Sequence, residues 1–172
     1  MEGTMFQSPW QHLVVDDLYD ITGVVEEVKT YIRKNANVLV EGSKTITFEN
    51  FDELPITKSQ LDKVDLLQYL EHFDHRPAKN PIVENHINVN LPDHEYRIHD
   101  ELPRKILSVV TYLSPNVSYG TLLYDENKNF SHEVEWQLGR TMIFAGDTGR
   151  TWHNFKSGDK IRITLNSFIV DK

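Results

Sequence analysis

The chain has no cysteine, so disulfide frameworks and thiolate metal sites are excluded from the start. A bound metal must be held by histidine, carboxylate or backbone oxygen, donors that suit iron, manganese or zinc. Long apolar runs are also missing. No stretch approaches the roughly 18 residues that a membrane span requires. The opening MEGTMFQSPW lacks the basic segment and apolar centre of a secretory signal. A cytoplasmic protein with no membrane partner is therefore expected. Basic charge is the scarcer sign, with 18 Lys plus Arg against 26 Asp plus Glu and a net charge of -8. Such a field repels phosphate backbones and argues against a nucleic-acid partner. Its simplest use is solubility.

What is present is an ordinary globular composition: 172 residues, 39% of them hydrophobic, enough for one domain with a sizeable core. No repeat, low-complexity tract or linker divides the chain. The expected organisation is one unit over residues 1–172. Residues 1–81 form a support of helices and strands, and residues 82–172 form a β core that carries the site.

HLVV at 12–15 reads as a short strand. Ile21, Val24, Val25, Val28, Tyr31 and Ile32 then recur at the spacing of one helix face. Residues 38–40 and 44–48 read as two strands around Glu41, Gly42 and Ser43. Thr57 with Gln60 three residues on matches a capping box. Leu61, Val64, Leu67 and Leu70, widened by Leu66, Tyr69 and Phe73, predict one helix that stops before Pro77 and Pro81. From residue 82 the pattern changes to short β runs at 86–91, 106–113, 120–124, 134–137, 141–145, 151–155 and 161–170. Their regular spacing points to a sandwich or barrel.

His-x-acid tripeptides arise by chance in a chain this rich in acids, and two occur: His72-Phe73-Asp74 and His99-Asp100-Glu101. Context separates them. His72 and Asp74 end a predicted helix, where residues two apart point about 200° apart around the axis. His99 and Glu101 sit on extended chain, where residues two apart share a side and Asp100 points away. A second imidazole from elsewhere completes two histidines and one carboxylate, the facial triad of non-haem ferrous oxygenases. His153 is the candidate, in the strand-like TWHNF at 151–155 between two turn-rich segments. Arg162 follows nine residues later and starts the alternation Arg162, Thr164, Asn166 against Ile161, Ile163, Leu165. A cation pointing inward there is costly unless it meets an anion. A dicarboxylate bound at the metal supplies one, through a bidentate fork.

The stretch from His99 to Arg162 resembles the 2-oxoglutarate and Fe(II)-dependent dioxygenases, in particular the prolyl-4-hydroxylase-like branch with its compact bacterial and phage members. The resemblance is carried by His99-x-Glu101, by Lys105 and ILSVVTY at 106–112 running into Leu113-Ser114-Pro115, by Gly120-Thr121, by Arg140 before 141–144, by His153 and by Arg162-x-Thr164. It covers the C-terminal half; before residue 82 it rests on helices followed by strands. It implies a mainly β member of the α+β class, a double-stranded β-helix (jelly roll, cupin-like) with N-terminal helices packed on one face. It implies that His99, Glu101 and His153 ligate Fe(II) and are the catalytic centre. It also implies that Arg162 binds the distal carboxylate of 2-oxoglutarate with the Tyr112 hydroxyl, and that Thr164 or Ser108 adds a hydrogen bond. The reaction implied is hydroxylation of a prolyl or other peptide side chain, or of a small molecule. 2-Oxoglutarate is decarboxylated to succinate, and ascorbate is an accessory reductant. The family's usual acid is Asp; this chain has Glu101, whose carboxylate is carried one methylene further out.

Two other readings keep the same residues. One is a non-catalytic metal-binding jelly roll, motivated by Glu101. The other is a cupin-like zinc or manganese enzyme using the metal as a Lewis acid. Several residues are assigned to structure: His72, His75, His86, His94 and His132 to ordinary histidine roles, Trp136 and Trp152 to packing, Gly120 to a backbone requirement, and Arg140 to a surface ion pair. Specificity is expected from the loops at 73–82, 92–97 and 116–119.

Overall fold

The structure, a computed structural model, describes residues 3–35 and 44–172; the strand expected at 38–40 lies outside the described residues. The elements in order are β1 (Thr4–Phe6), β2 (His12–Val15), α1 (Val24–Lys34), β3 (Thr45–Phe48), α2 (Pro55–Leu61), a 3-10 helix (Leu66–His72), β4 (Pro81–Asn90) and β5 (Lys105–Ser114). β6 (Thr121–Tyr124), β7 (Phe130–Val134), β8 (Thr141–Ala145), β9 (His153–Phe155) and β10 (Arg162–Asp171) follow. The chain is mainly β, as its short alternating runs imply. No helix among the described residues is long and apolar enough to cross a membrane.

A seven-stranded antiparallel sheet runs in the order β1-β2-β8-β5-β10-β4-β3, and a three-stranded one in the order β7-β6-β9. Isolated bridges Glu95 to Lys156 and His99 to His153 lay residues 95–99 along the free side of β9. From β4 onward the chain passes from large sheet to small and back: β4 large, 95–99 small, β5 large, β6 and β7 small, β8 large, β9 small, β10 large. That is the winding expected of a jelly roll.

Period-two alternation explains the two faces of the large sheet. Ile87 and Val89 of β4, Leu107 and Val109 of β5, Ile143 of β8 and Ile163, Leu165 and Ile169 of β10 belong to one buried apolar cluster. Val24 and Val28 of α1 and Leu66 and Tyr69 of the 3-10 helix belong to the same cluster. The residues between them on the strands face the other way. Met142 and Phe144 of β8 join Leu123 of β6, Val134 of β7 and Trp10 in a second cluster. Asn88, Asn90, Arg162, Thr164, Asn166 and Phe168 line a cavity beside it.

Three local expectations are corrected. The stripe from Leu61 to Phe73 is not one helix. α2 ends at Leu61, and Asp65 starts the 3-10 helix by accepting from the Leu67 N–H at 3.0 Å. Thr57 is not an N-cap. Its hydroxyl donates to Glu27 of α1, whose carboxylate also accepts from the Ile56 and Thr57 backbone N–H groups, so a neighbouring helix supplies the cap. The strand expected at 134–137 lies earlier, at Phe130–Val134, because β7 pairs Val134 with Thr121 and His132 with Leu123. Gly120 does answer a backbone need: a Cβ there would run into the Val134 carbonyl.

Candidate metal centre

β9 and the bridge at His99 bring the two histidines together. The backbone of His99 and His153 exchanges two hydrogen bonds of 3.0 and 2.9 Å, and their ring centroids lie 4.3 Å apart. Each ring is oriented the same way. His99 Nδ1 lies 3.1 Å from the Arg97 carbonyl and His153 Nδ1 lies 2.8 Å from the Thr151 carbonyl. A carbonyl only accepts, so Nδ1 carries the proton on each ring, and each Nε2 keeps its lone pair for a ligand. Burial, then His99, pushes the His153 pKa down to about 4. Burial also lowers that of His99. Both imidazoles are thus neutral near pH 7, the form that binds a metal.

Glu101 is the acidic member. It is buried, and its Oε1 stands 3.9 Å from His153 Nε2. Ser108 donates to Oε1 at 2.7 Å and Lys105 to Oε2 at 2.7 Å. Burial resists its charge, but His153, Lys105 and Ser108 together outweigh that and hold its pKa below the ordinary carboxylate value. Asp100 points away and accepts from the Gly149 N–H.

His99, Glu101, Lys105, His153, Thr164 and Arg162 line one cavity of about 190 Å³. A wider cleft of about 560 Å³ opens beside Trp10 and Arg150, without the histidine pair. Chemistry rather than size therefore singles out the smaller cavity. Among the described residues no group of three or more His, Asp or Glu side chains is drawn tightly enough together to hold a metal ion as it stands. The donor chemistry nevertheless fits one: two neutral imidazoles with free Nε2 atoms and a charged carboxylate face the same space.

Arg162 lines the same cavity and is 2% exposed. Its guanidinium carbon is 4.5 Å from the Phe155 ring centre, 5.0 Å from that of Trp136 and 5.6 Å from that of Tyr112. Its Nε is buried with no hydrogen-bond partner among the described residues. Burial pulls its pKa down to about 10. Arginine beside aromatic faces is stabilised in part, but its donors still require an acceptor.

Tyr112 and Ser108 have protein partners for their hydroxyls. Tyr112 does not offer its hydroxyl to the cavity: it lies 2.8 Å from Thr121 Oγ1 and donates to the Val134 carbonyl at 3.2 Å. It reaches Arg162 through its ring, which stacks on Trp136, while Thr121 lines the cavity. Ser108 gives its hydroxyl to Glu101 and none to a cosubstrate position. Thr164 does line the cavity beside Arg162. Arg140 forms a two-pronged pair with Asp16 at 2.7 and 3.1 Å. Sequence reasoning missed Trp136 as a wall of the arginine pocket. It also missed Tyr96, 4.9 Å from His99, and the pairing of Lys105 with Glu101. That pairing had a signal: opposite charges four residues apart around Pro103.

Compared by sequence alone, the chain matches no family model and no curated protein. Its fold is similar to solved structures. A prolyl-4-hydroxylase from Pseudomonas putida superposes with a TM-score of 0.64 at 16% identity, covering 94% of this chain and 92% of that one. A Trichoplax adhaerens prolyl hydroxylase, solved with a peptide from the oxygen degradation domain of hypoxia inducible factor, gives 0.67 at 15%, covering 93% and 83%. A non-haem alpha-ketoglutarate-dependent epimerase of nogalamycin biosynthesis gives 0.62 at 12%, covering 93% and 77%. The chain therefore has the fold of the prolyl hydroxylases and of other 2-oxoglutarate and Fe(II) oxygenases.

Proposed function

We propose that this chain is a 2-oxoglutarate- and Fe(II)-dependent oxygenase acting on a C–H bond of an unidentified peptide side chain or small molecule. The observation that carries the reading is Arg162, a buried cation whose Nε has no hydrogen-bond partner among the described residues, in the same cavity as two ligand-ready imidazoles and a carboxylate. In this reading His99 and His153 hold iron through Nε2 and Glu101 holds it through Oε1. Arg162 takes the distal carboxylate of 2-oxoglutarate, with Thr164 alongside. Tyr112 and Trp136 fix the guanidinium plane from the side. Bound iron with 2-oxoglutarate and dioxygen supplies the oxidation, yielding succinate, carbon dioxide and an oxidised substrate; ascorbate belongs to the proposal as an accessory reductant.

The protein's own contribution is positioning and water exclusion. Phe155, Phe168 and Val110 form apolar walls, while Thr47, Asn88 and Asn166 form a polar one. That mixture suits a polar small molecule or a peptide. The whole of residues 1–172 acts as one unit in this proposal, with α1 and the 3-10 helix covering the outer face of the large sheet.

Incubating the protein with Fe(II), 2-oxoglutarate and oxygen is expected to yield succinate, slowly even without substrate, and His153→Ala is expected to abolish it. Glutamate at position 101, where the resembled family usually carries Asp, favours a second reading, a metal-binding jelly roll without turnover. Metal uptake with no succinate over a panel of peptides and small molecules would select that reading instead.

A further inference from the structure

We infer that Lys105 fixes Glu101 as a one-oxygen metal ligand, keeping free a coordination position that a chelating carboxylate would fill. The inference rests on the proposed metal centre.

The local chain sets up the contact. Glu101 is followed by Leu102-Pro103-Arg104, and the Lys105 N–H donates to the Leu102 carbonyl at 2.9 Å. This turn brings the first residue of β5 back beside Glu101. The Lys105 ammonium then sits 2.7 Å from Glu101 Oε2 and 3.5 Å above the centre of the Phe168 ring. Its side chain is 15% exposed and that of Glu101 is 6% exposed, so neither swings freely into solvent.

The two carboxylate oxygens have different surroundings. Oε1 accepts from Ser108 and is the oxygen that faces His153 Nε2. One of its lone-pair directions remains for a metal. Oε2 is claimed by a cation through a charge-assisted bond. A metal ion approaching Oε2 would meet the ammonium in a poorly screened cavity, where like charges repel strongly. The metal therefore reaches one oxygen only.

The consequence is a coordination count. Two imidazoles and one carboxylate oxygen would leave a bound metal room for a chelating 2-oxo acid and one further small ligand. A chelating carboxylate would close that last position or displace an arm of the 2-oxo acid. Glutamate has one more torsion than aspartate, so its carboxylate needs a restraint that a shorter acid needs less. Lys105 supplies it as a positioning residue.

The test uses the full chain loaded with Co(II), which reports coordination by its visible spectrum. Wild type is expected to bind one Co(II) and then 2-oxoglutarate. Lys105→Met is expected to keep Co(II) but to weaken 2-oxoglutarate at least tenfold in calorimetric titration. Its carboxylate infrared bands should draw closer together, the signature of chelation. Lys105→Arg is expected to restore both readouts. Lys105→Gln gives the same comparison if the methionine variant does not fold. Wild-type affinity and unchanged infrared bands in the neutral variants would overturn the inference. A wild-type chain that takes up no Co(II) would overturn the metal reading itself, and this inference with it, so the two failures are told apart.

Discussion

Arg162→Met is expected to make the metal-free protein more stable and to weaken 2-oxoglutarate binding to the metal-loaded protein by roughly a hundredfold. The two effects have one cause. Burial lowers the Arg162 pKa from 12.5 to about 10, which corresponds to a cost of about 3 kcal/mol for keeping the charge. The faces of Phe155, Trp136 and Tyr112 return part of that, on the order of 1–2 kcal/mol. Methionine of similar length fills the volume without the charge. Denaturant unfolding should therefore show a gain of roughly 1–2 kcal/mol, the sign seen when buried charges are replaced by apolar groups. The loss of ligand binding should be larger. A charged, two-pronged hydrogen bond contributes about 3 kcal/mol, or roughly a hundredfold in affinity, read by calorimetry on metal-loaded protein. Arg162→Lys should recover little, because a point charge does not reproduce the fork. A methionine variant that is less stable and binds 2-oxoglutarate normally would make Arg162 a purely structural residue.

The second large effect is a pH dependence. His153 has a folded pKa of about 4 against an ordinary value of 6.5. Between those values the unfolded chain takes up a proton that the folded chain refuses. Stability is therefore complete above pH 6.5 and falls as the pH drops toward 4, by about 3 kcal/mol across the window. Urea unfolding of metal-free wild type at pH 7 and pH 4.5 should show most of this loss. His153→Asn should show a shallower dependence, because one protonation has been removed from the linkage. Equal slopes in the two proteins would mean that the imidazole is not held neutral by its surroundings. His99, also lowered by burial, continues to contribute in both.

The parts of the fold that repeat at short range were readable from the residues. β10 is the best case. Its alternation places Ile163, Leu165 and Ile169 on one side and Arg162, Thr164 and Asn166 on the other, as period two requires, and the structure has that division. The side-by-side placement of His99 and His153 was legible only as a requirement of chemistry; the backbone bridge that achieves it links segments distant along the chain. Long-range packing explains what was misread. The stripe through Leu61, Val64, Leu67 and Leu70 looks continuous, but Asp65 competes for backbone donors and breaks it. Thr57 has the composition of a cap, yet Glu27 arrives from another helix and takes the role. The partners of the Tyr112 hydroxyl, Thr121 and the Val134 carbonyl, likewise come from β6 and β7 and have no local mark in the sequence. Trp136 could not be seen as part of the Arg162 pocket, because nothing local to it marks a neighbour brought in by the opposite sheet.

The central claim is that His99, Glu101 and His153 hold ferrous iron while Arg162 holds a 2-oxo dicarboxylate beside it. Mixing the protein with Fe(II) and 2-oxoglutarate without oxygen tests both halves at once, through the visible charge-transfer absorption that arises only when the 2-oxo acid chelates the iron. The wild-type chain should show the band, and it should vanish in His153→Ala and require far more 2-oxoglutarate in Arg162→Met. A wild-type sample that stays colourless with iron and 2-oxoglutarate in excess would contradict the account.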